Sequence, residues 1–142
     1  MKIERAVASD LGAIRSLLIE AGLPVEDLAT AGVNFWVARD AQGIAGAVGV
    51  EWLGTAGLLR SLVVAPRSQN RGAGSALVQD LEISMRSSGL NSLVLLTQTA
   101  ESFFGKRGYA VTPREQVPER VRQSGEFKSL CPASAVCMSK ML

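Results

Sequence analysis

Hydrophobic and polar positions divide the chain into short segments of alternating period. Lys2 to Val7 alternates weakly and predicts an edge strand. Leu11, Ile14, Leu17, Leu18 and Ala21 recur at helical spacing behind the capping side chains of Ser9 and Asp10, and Gly22 with Pro24 closes that helix. Val25 to Leu28 predicts a second, short helix before a loop at Thr30, Ala31 and Gly32. Asn34 to Arg39 and Ile44 to Leu53 read as strands around a hairpin turn at Asp40 to Gly43. In the second of these, Ile44, Gly46, Val48, Val50 and Trp52 share one face and Ala45, Ala47, Gly49, Glu51 and Leu53 the other.

A turn at Gly54 to Gly57 leads into the apolar run from Leu58 to Ala65, which Pro66 stops. A hairpin centred on that turn sets Glu51 opposite Arg60, within about one residue of register. After the polar turn Gln69, Asn70, Arg71, Gly72, Ala73, Gly74 comes an amphipathic helix with Leu77, Val78, Leu81 and Met85 on one face. Ser92 to Thr97 is continuously apolar at its centre, as a strand buried on both faces requires, so it is expected to lie parallel to the run from Leu58. Ala100 to Arg107 predicts a short helix, Tyr109 to Val111 a strand, Glu119 to Gln123 a short helix within a polar loop, and Ala135 to Leu142 a terminal strand.

Composition narrows the chemistry. At 142 residues, 47% apolar and 20% charged, the chain reads as one domain, 1–142, with a core of its own. A net charge of +2 with no basic block argues against nucleic acid as a partner, and no apolar run is long enough to span a membrane. The first five residues lack the apolar centre of a signal peptide, so a cytoplasmic location is expected. The chain has no histidine, which excludes Ser/His/Asp and Cys/His nucleophilic sites and any His-ligated metal. Cys131 and Cys137 are too few for a metal site and read as small buried hydrophobes, so no metal is expected.

The glycine turn carries the clearest chemistry. A strand that delivers two close glycines to a helix N-terminus presents unpaired N–H groups and the positive end of a dipole, which suits a phosphate or pyrophosphate. Arg71 adds a cation there. Glu51, near the centre of the predicted sheet, is the candidate general base, directly or through water, and a cross-strand ion pair with Arg60 is its equally natural alternative. Arg60 suits a bidentate carboxylate and is a candidate contact for an acceptor, as is Glu51.

The order of elements, with Leu62, Val63, Val64 and Pro66 before Gln69, Asn70, Arg71, Gly72, Ala73, Gly74, resembles the GNAT superfamily of acetyl-CoA-dependent N-acetyltransferases, whose cofactor loop has the pattern Q/R-x-x-G-x-G/A. Ala100, Phe103, Phe104, Gly108 and Tyr109 are similar to that family's A-x-x-F-Y-x-x-x-G-F segment. The closing segment, with Val117, Pro118, Phe127, Leu130, Cys131, Pro132, Ser134, Ala135 and Met138, resembles small acetyltransferases of arsenic-resistance operons and, more distantly, the acetyltransferase domain of N-acetylglutamate synthases.

The resemblance implies an α/β GNAT fold, with a mixed six- to seven-stranded sheet and helices on both faces. It implies acetyl-CoA as cosubstrate, held by Leu62, Val63, Val64, the loop Gln69 to Gly74, Ser75, Thr97 and Phe104. Pantetheine would then pair like an extra strand in a slot between Leu62–Val64 and Leu93–Leu96, with backbone N–H groups near Leu62 or Val63 facing the thioester oxygen. The acceptor would be a small amino-acid-like amine; a protein N-terminus or lysine, and an acyl-CoA sensor without turnover, are the alternatives, and a homodimer is common in the family. In one place the chain departs from the pattern. Phe104 stands where many members carry the tyrosine that protonates the departing thiolate, which leaves water, Ser102 or Tyr109 for that role.

Overall fold

The computed structural model describes residues Met1–Leu142. Its seven strands are β1 (Lys2–Arg5), β2 (Asn34–Asp40), β3 (Gly43–Leu53), β4 (Ala56–Val64), β5 (Ser92–Thr97), β6 (Ala110–Val111) and β7 (Val136–Met141). Its α-helices are α1 (Leu11–Glu20), α2 (Ala73–Ser87), α3 (Glu101–Gly105) and α4 (Glu119–Arg122), and Glu126–Leu130 forms a π-helical turn in the segment after α4. The strands form one mixed sheet in the order β1-β2-β3-β4-β5-β7-β6, antiparallel except for the β4–β5 pair. No helix is long and apolar enough to cross a membrane.

Period-two alternation sends β2 side chains to opposite layers. Trp36 and Ala38 join Val48, Val50 and Leu59 beneath Leu77, Val78, Leu81 and Met85 of α2, whereas Phe35 and Val37 pack with Ala47 and Val63 against Ile14 and Leu18 of α1. A third cluster, Ala56, Leu58 and Val94 with Val117, Val121 and Cys137, lies under α4. The face read for α2 from its spacing is the buried one, and each leucine there contributes about 2 kcal/mol of burial.

Two sequence expectations are corrected. Val25–Leu28 is not a helix: Val25 is irregular and Glu26 to Leu28 open a run of turns that reaches Gly32. Its backbone bonds are isolated ones, Leu28 N–H to the Val25 carbonyl at 3.4 Å and Ala31 N–H to the Asp27 carbonyl at 2.8 Å, while the Asp27 side chain is drawn into the sheet by Arg60. The β3–β4 register also differs: Glu51 pairs with Leu58, and Arg60 faces Gly49. The turn is the tighter pair Gly54–Thr55, which moves the partner of Glu51 by two residues, so Glu51 and Arg60 meet on a diagonal.

The register slips in two places, at Ala38–Arg39 between β2 and β3 and at Ala47–Gly49 between β3 and β4, and the second positions the site. Ala47 pairs with Val63 and Gly49 with Arg60, so Val48 alone faces Ser61 and Leu62, a bulge in which Ser61 takes the left-handed φ of 59°. On its other side β4 pairs with β5 only from Ala56 to Leu58, opposite Ser92 to Val94. Beyond Leu58 the two strands part, while β5 stays paired with β7 through Thr97.

Gly46 lies where β3 passes the bulge, and a Cβ there would sit 2.9 Å from the Val63 carbonyl oxygen and 3.2 Å from Leu77 Cδ1. Because backbone cannot swing aside as a side chain can, Gly46→Ala is expected to cost about 1–3 kcal/mol. Urea unfolding should show that loss as a lower midpoint with an unchanged m-value.

Candidate active site

The gap between β4 and β5 opens into a cavity of about 440 Å³. One wall is Leu59, Arg60, Ser61 and Leu62 of β4; the opposite wall is Leu95 to Ala100 with Phe104 of α3. Ala21 to Pro24, after α1, and Glu126 with Leu130 to Pro132, after α4, cover it.

Arg60 stands at the seam of those parts with its side chain wholly buried. Its terminal nitrogens donate a bidentate pair to Asp27 at 2.7 and 2.8 Å, Nη1 also reaches Glu51 Oε2 at 3.1 Å, and Nε donates to Ser61 Oγ at 3.2 Å. Glu126 Oε2 lies 3.3 Å from Nε as an ion pair. One guanidinium thus ties the turn after α1, strand β3 and the loop after α4 to β4. The approach is close enough that a Cβ at position 125 would come within 3.1 Å of Asp27 Oδ2.

Three carboxylates on one cation cannot all ionise with equal ease. The Arg60 hydrogen bonds outweigh burial at Asp27 and hold its carboxyl below the ordinary range. Burial dominates at Glu51, pushing it up against the pull of Arg60. At Glu126 burial again leads, opposed by Arg60 and reinforced by the charges of Glu51 and Asp27, which places it at about 7. Burial alone would lower the Arg60 pKa, but the bonds to Asp27 and the surrounding carboxylates raise it, so it stays cationic.

At the other end of β4 the chain turns through Asn70 and Gly72, both left-handed at φ of 64° and 82°, into α2. A Cβ on Gly72 would point into open space, so glycine serves the turn there and leaves its outer face clear. The first helical bond runs from Ala76 N–H to the Gly72 carbonyl, so the amides of Ala73, Gly74 and Ser75 have no partner inside the helix.

This combination of a bulged and splayed strand pair with a glycine turn agrees with the family comparison. Residues 31–111 match the model of the acetyltransferase (GNAT) domain. The chain belongs to the GNAT acetyltransferases. The domain is therefore that of an acetyltransferase.

No curated protein matches the chain in sequence. Among solved structures, N-acetylglutamate synthase from Neisseria gonorrhoeae, complexed with coenzyme A and N-acetyl-glutamate, superposes with a TM-score of 0.84 at 20% identity over 99% of this chain. The chain spans 35% of that enzyme's length. Rv2747 from Mycobacterium tuberculosis, in a complex with CoA, gives 0.83 at 23% identity over 100% of this chain and 99% of its own. A GNAT-family acetyltransferase from Staphylococcus aureus Mu50 gives 0.81 at 15% identity over 99% and 98%. At these identities the likeness is one of fold.

The GNAT fold distributes the residues singled out from sequence over several surroundings. Leu62, Thr97 and Phe104 line the cavity. Val63 is buried in the cluster under α1, and Val64 holds the Gln69 side chain through its carbonyl at 3.2 Å. Ala73 is buried, while a Cβ on Gly74 would lie 3.4 Å from the ring of Phe103. Arg71 is exposed and makes no intramolecular hydrogen bond or ion pair, whereas Ser75 accepts one from Arg107 Nε at 3.1 Å. Glu51 is buried behind Arg60 and is not part of the cavity wall. Tyr109 is also outside that wall: its hydroxyl donates to Glu82 at 2.8 Å, and burial followed by that hydrogen bond raises its pKa. Cys131 lines the cavity with a thiol that burial pushes up to about 11, and Cys137 is buried.

Sequence reasoning missed Asp27 and Glu126. The segment from Arg114 to Lys128 puts one residue on the cavity wall, the acidic Glu126. The available signal was a lone carboxylate beside Gly125 and Phe127, an apolar setting for a charge.

A carboxyl raised from 4.5 to about 7 binds its proton more tightly in the folded state, so its stabilising contribution is complete below pH 4.5 and is lost as pH rises toward 7. Relative to wild type, Glu126→Gln should therefore gain melting temperature steadily between pH 5 and 7 and level off above. A difference in Tm that stays flat over that range would contradict the raised pKa.

Proposed function

We propose that this acetyltransferase transfers the acetyl group of acetyl-CoA to the primary amine of a small, amino-acid-like acceptor by direct attack in a ternary complex. The observation that supports this reading is the cavity between β4 and β5, lined by Ala21–Pro24 and by Glu126 with Leu130–Pro132 and holding Arg60 and its ion-pair partner Glu126 in its wall. A protein N-terminus or lysine would need an open groove there. The N-acetylglutamate synthase that shares the fold is complexed with an acylated amino acid, N-acetyl-glutamate, which supports the same acceptor class.

The amides of the Gln69–Ser75 turn and the Arg71 guanidinium are proposed to hold the pyrophosphate, and the free edge of β4 near Leu62 and Val63 to receive the pantetheine and the thioester oxygen. Acetyl-CoA supplies an activated acyl group on a good leaving thiol. The chain's part is to orient it, to bury the amine beside it and to accept a proton. Glu51 and Arg60 remain proposed acceptor-side residues: Arg60 presents its edge to the cavity while Glu51 sets its orientation from behind.

The phenyl ring of Phe104 in the cavity wall favours one second reading, a module that binds acyl-CoA without turnover, because it offers the leaving thiolate no proton. Free-thiol release from acetyl-CoA across a panel of amino acids and amino-acid analogues separates the two. At least one amine should raise release well above the hydrolysis blank, and CoA stabilisation with no amine-dependent release would support the second reading.

Arg71→Ala removes a side chain with no intramolecular bond, so Tm should not move, while the dissociation constant for CoA should rise about 5- to 10-fold from the loss of a charge-assisted contact. Calorimetric titration with CoA checks the affinity, and a thermal melt checks the fold.

A further inference from the structure

Of the three carboxylates on Arg60, only one reaches the cavity. Asp27 is spent on the two guanidinium bonds, and Glu51 lies behind Arg60 with its Oε2 bonded to Nη1. Glu126 lines the cavity, its side chain is 6% exposed, and its contacts are the 3.3 Å ion pair with Arg60 Nε and the neighbouring Cys131 thiol. The guanidinium hydrogen bonds go to Asp27, Glu51 and Ser61, so Glu126 meets Arg60 by the ion pair alone, from its place in the cavity wall.

We propose that Glu126, and not Glu51, is the general base that takes the proton from the acceptor ammonium. The inference rests on the amine-acetylation reading above and names the residue that serves it. An acceptor amine reaches the cavity as R–NH3⁺, and a cluster holding three carboxylates against one guanidinium favours that charge. A Glu126 oxygen takes one proton, leaving R–NH2 and a neutral carboxylic acid. The nitrogen lone pair then forms the C–N bond to the thioester carbon. As the C–S bond breaks, its electron pair leaves on sulfur and the second nitrogen proton passes to the thiolate, giving the amide and free thiol. Glu126 afterwards returns its proton to water.

The base is suited to neutral pH by its neighbours. Arg60 on β4 favours the carboxylate; burial, Glu51 on β3 and Asp27 on the turn after α1 favour the acid, and the Cys131 thiol donates from the following loop. The balance near 7 is where a general base is most effective.

The test is the pH profile of kcat/KM for an amine that supports turnover in the wild-type protein, compared with Glu126→Gln, Glu126→Asp and Glu51→Gln. Wild type should show an acid limb with an inflection near 7. Glu126→Gln should lose that inflection, fall about 100-fold at pH 7 and recover as pH rises and the amine deprotonates in solution, while CoA affinity stays unchanged. Glu126→Asp, one methylene shorter, should retain an acid limb with reduced rate and serves if the glutamine variant fails to fold. Glu51→Gln should keep an inflection, displaced to lower pH because the Glu51 charge no longer favours the acid form of Glu126. An inflection that persists in Glu126→Gln, an Asp variant equal to wild type in rate and limb, or a limb lost in Glu51→Gln alone would overturn the assignment. If no amine drives thiol release in the wild-type protein, the acceptor reading itself fails and this inference with it; turnover with an intact limb in Glu126→Gln removes this inference alone.

Discussion

The acceptor side of the molecule depends on one buried cation. Arg60 lies on the sheet between the cluster under α1 and the cluster under α4, where a continuous apolar layer would otherwise run. Taking a guanidinium out of water is costly, and the cost is offset only if its donors are met with good geometry. Asp27, Glu51 and Ser61 meet them by hydrogen bonds and Glu126 adds an ion pair. Three of these partners come from outside β4, from segments far apart in sequence. The charge therefore does what apolar packing does elsewhere in the fold: it decides where two irregular loops sit. Removing the guanidinium would leave its carboxylates with uncompensated buried charge, so the loops and the strand are coupled through it.

The same arrangement sets the chemistry. An isolated buried glutamate would be neutral at physiological pH, and one alone beside an arginine would be fully ionised. The shared cation divides its pull among three carboxylates. Asp27 receives most of the hydrogen bonding and is held low; Glu126, with the longest contact and the deepest burial, is left near neutrality. At the far end of β4 the logic is reversed, since the Gln69–Ser75 turn leaves amides unpaired and Arg71 free, an excess of donors that suits an anion. The bulge at Ser61–Leu62 and the splay beyond Leu58 join these two ends into one cavity.

Most of the fold was legible in the sequence because it follows from local periodicity. The α2 stripe, the alternating faces of β3, the buried run of β5 and the turn at Gly72 each depend on residues within one or two turns of each other. The failures share a cause. Val25–Leu28 has a plausible helical composition, but Asp27 is worth more as a partner to Arg60, 33 residues away, than as a helix residue. The Glu51–Arg60 contact was anticipated and the register was not, since a two-residue turn and a bulge shift the pairing while a diagonal contact preserves the ion pair.

The sequence by itself determined the acetyltransferase family, the glycine turn and the absence of any histidine-based chemistry, because these reside in residue identity and short spacing. Only the tertiary structure decided which carboxylate faces the cavity. Asp27, Glu51 and Glu126 are chemically alike and distant in the chain, and their roles differ by burial, by contact with Arg60 and by position on the cavity wall. Those are properties of the space between elements, to which local sequence patterns are blind.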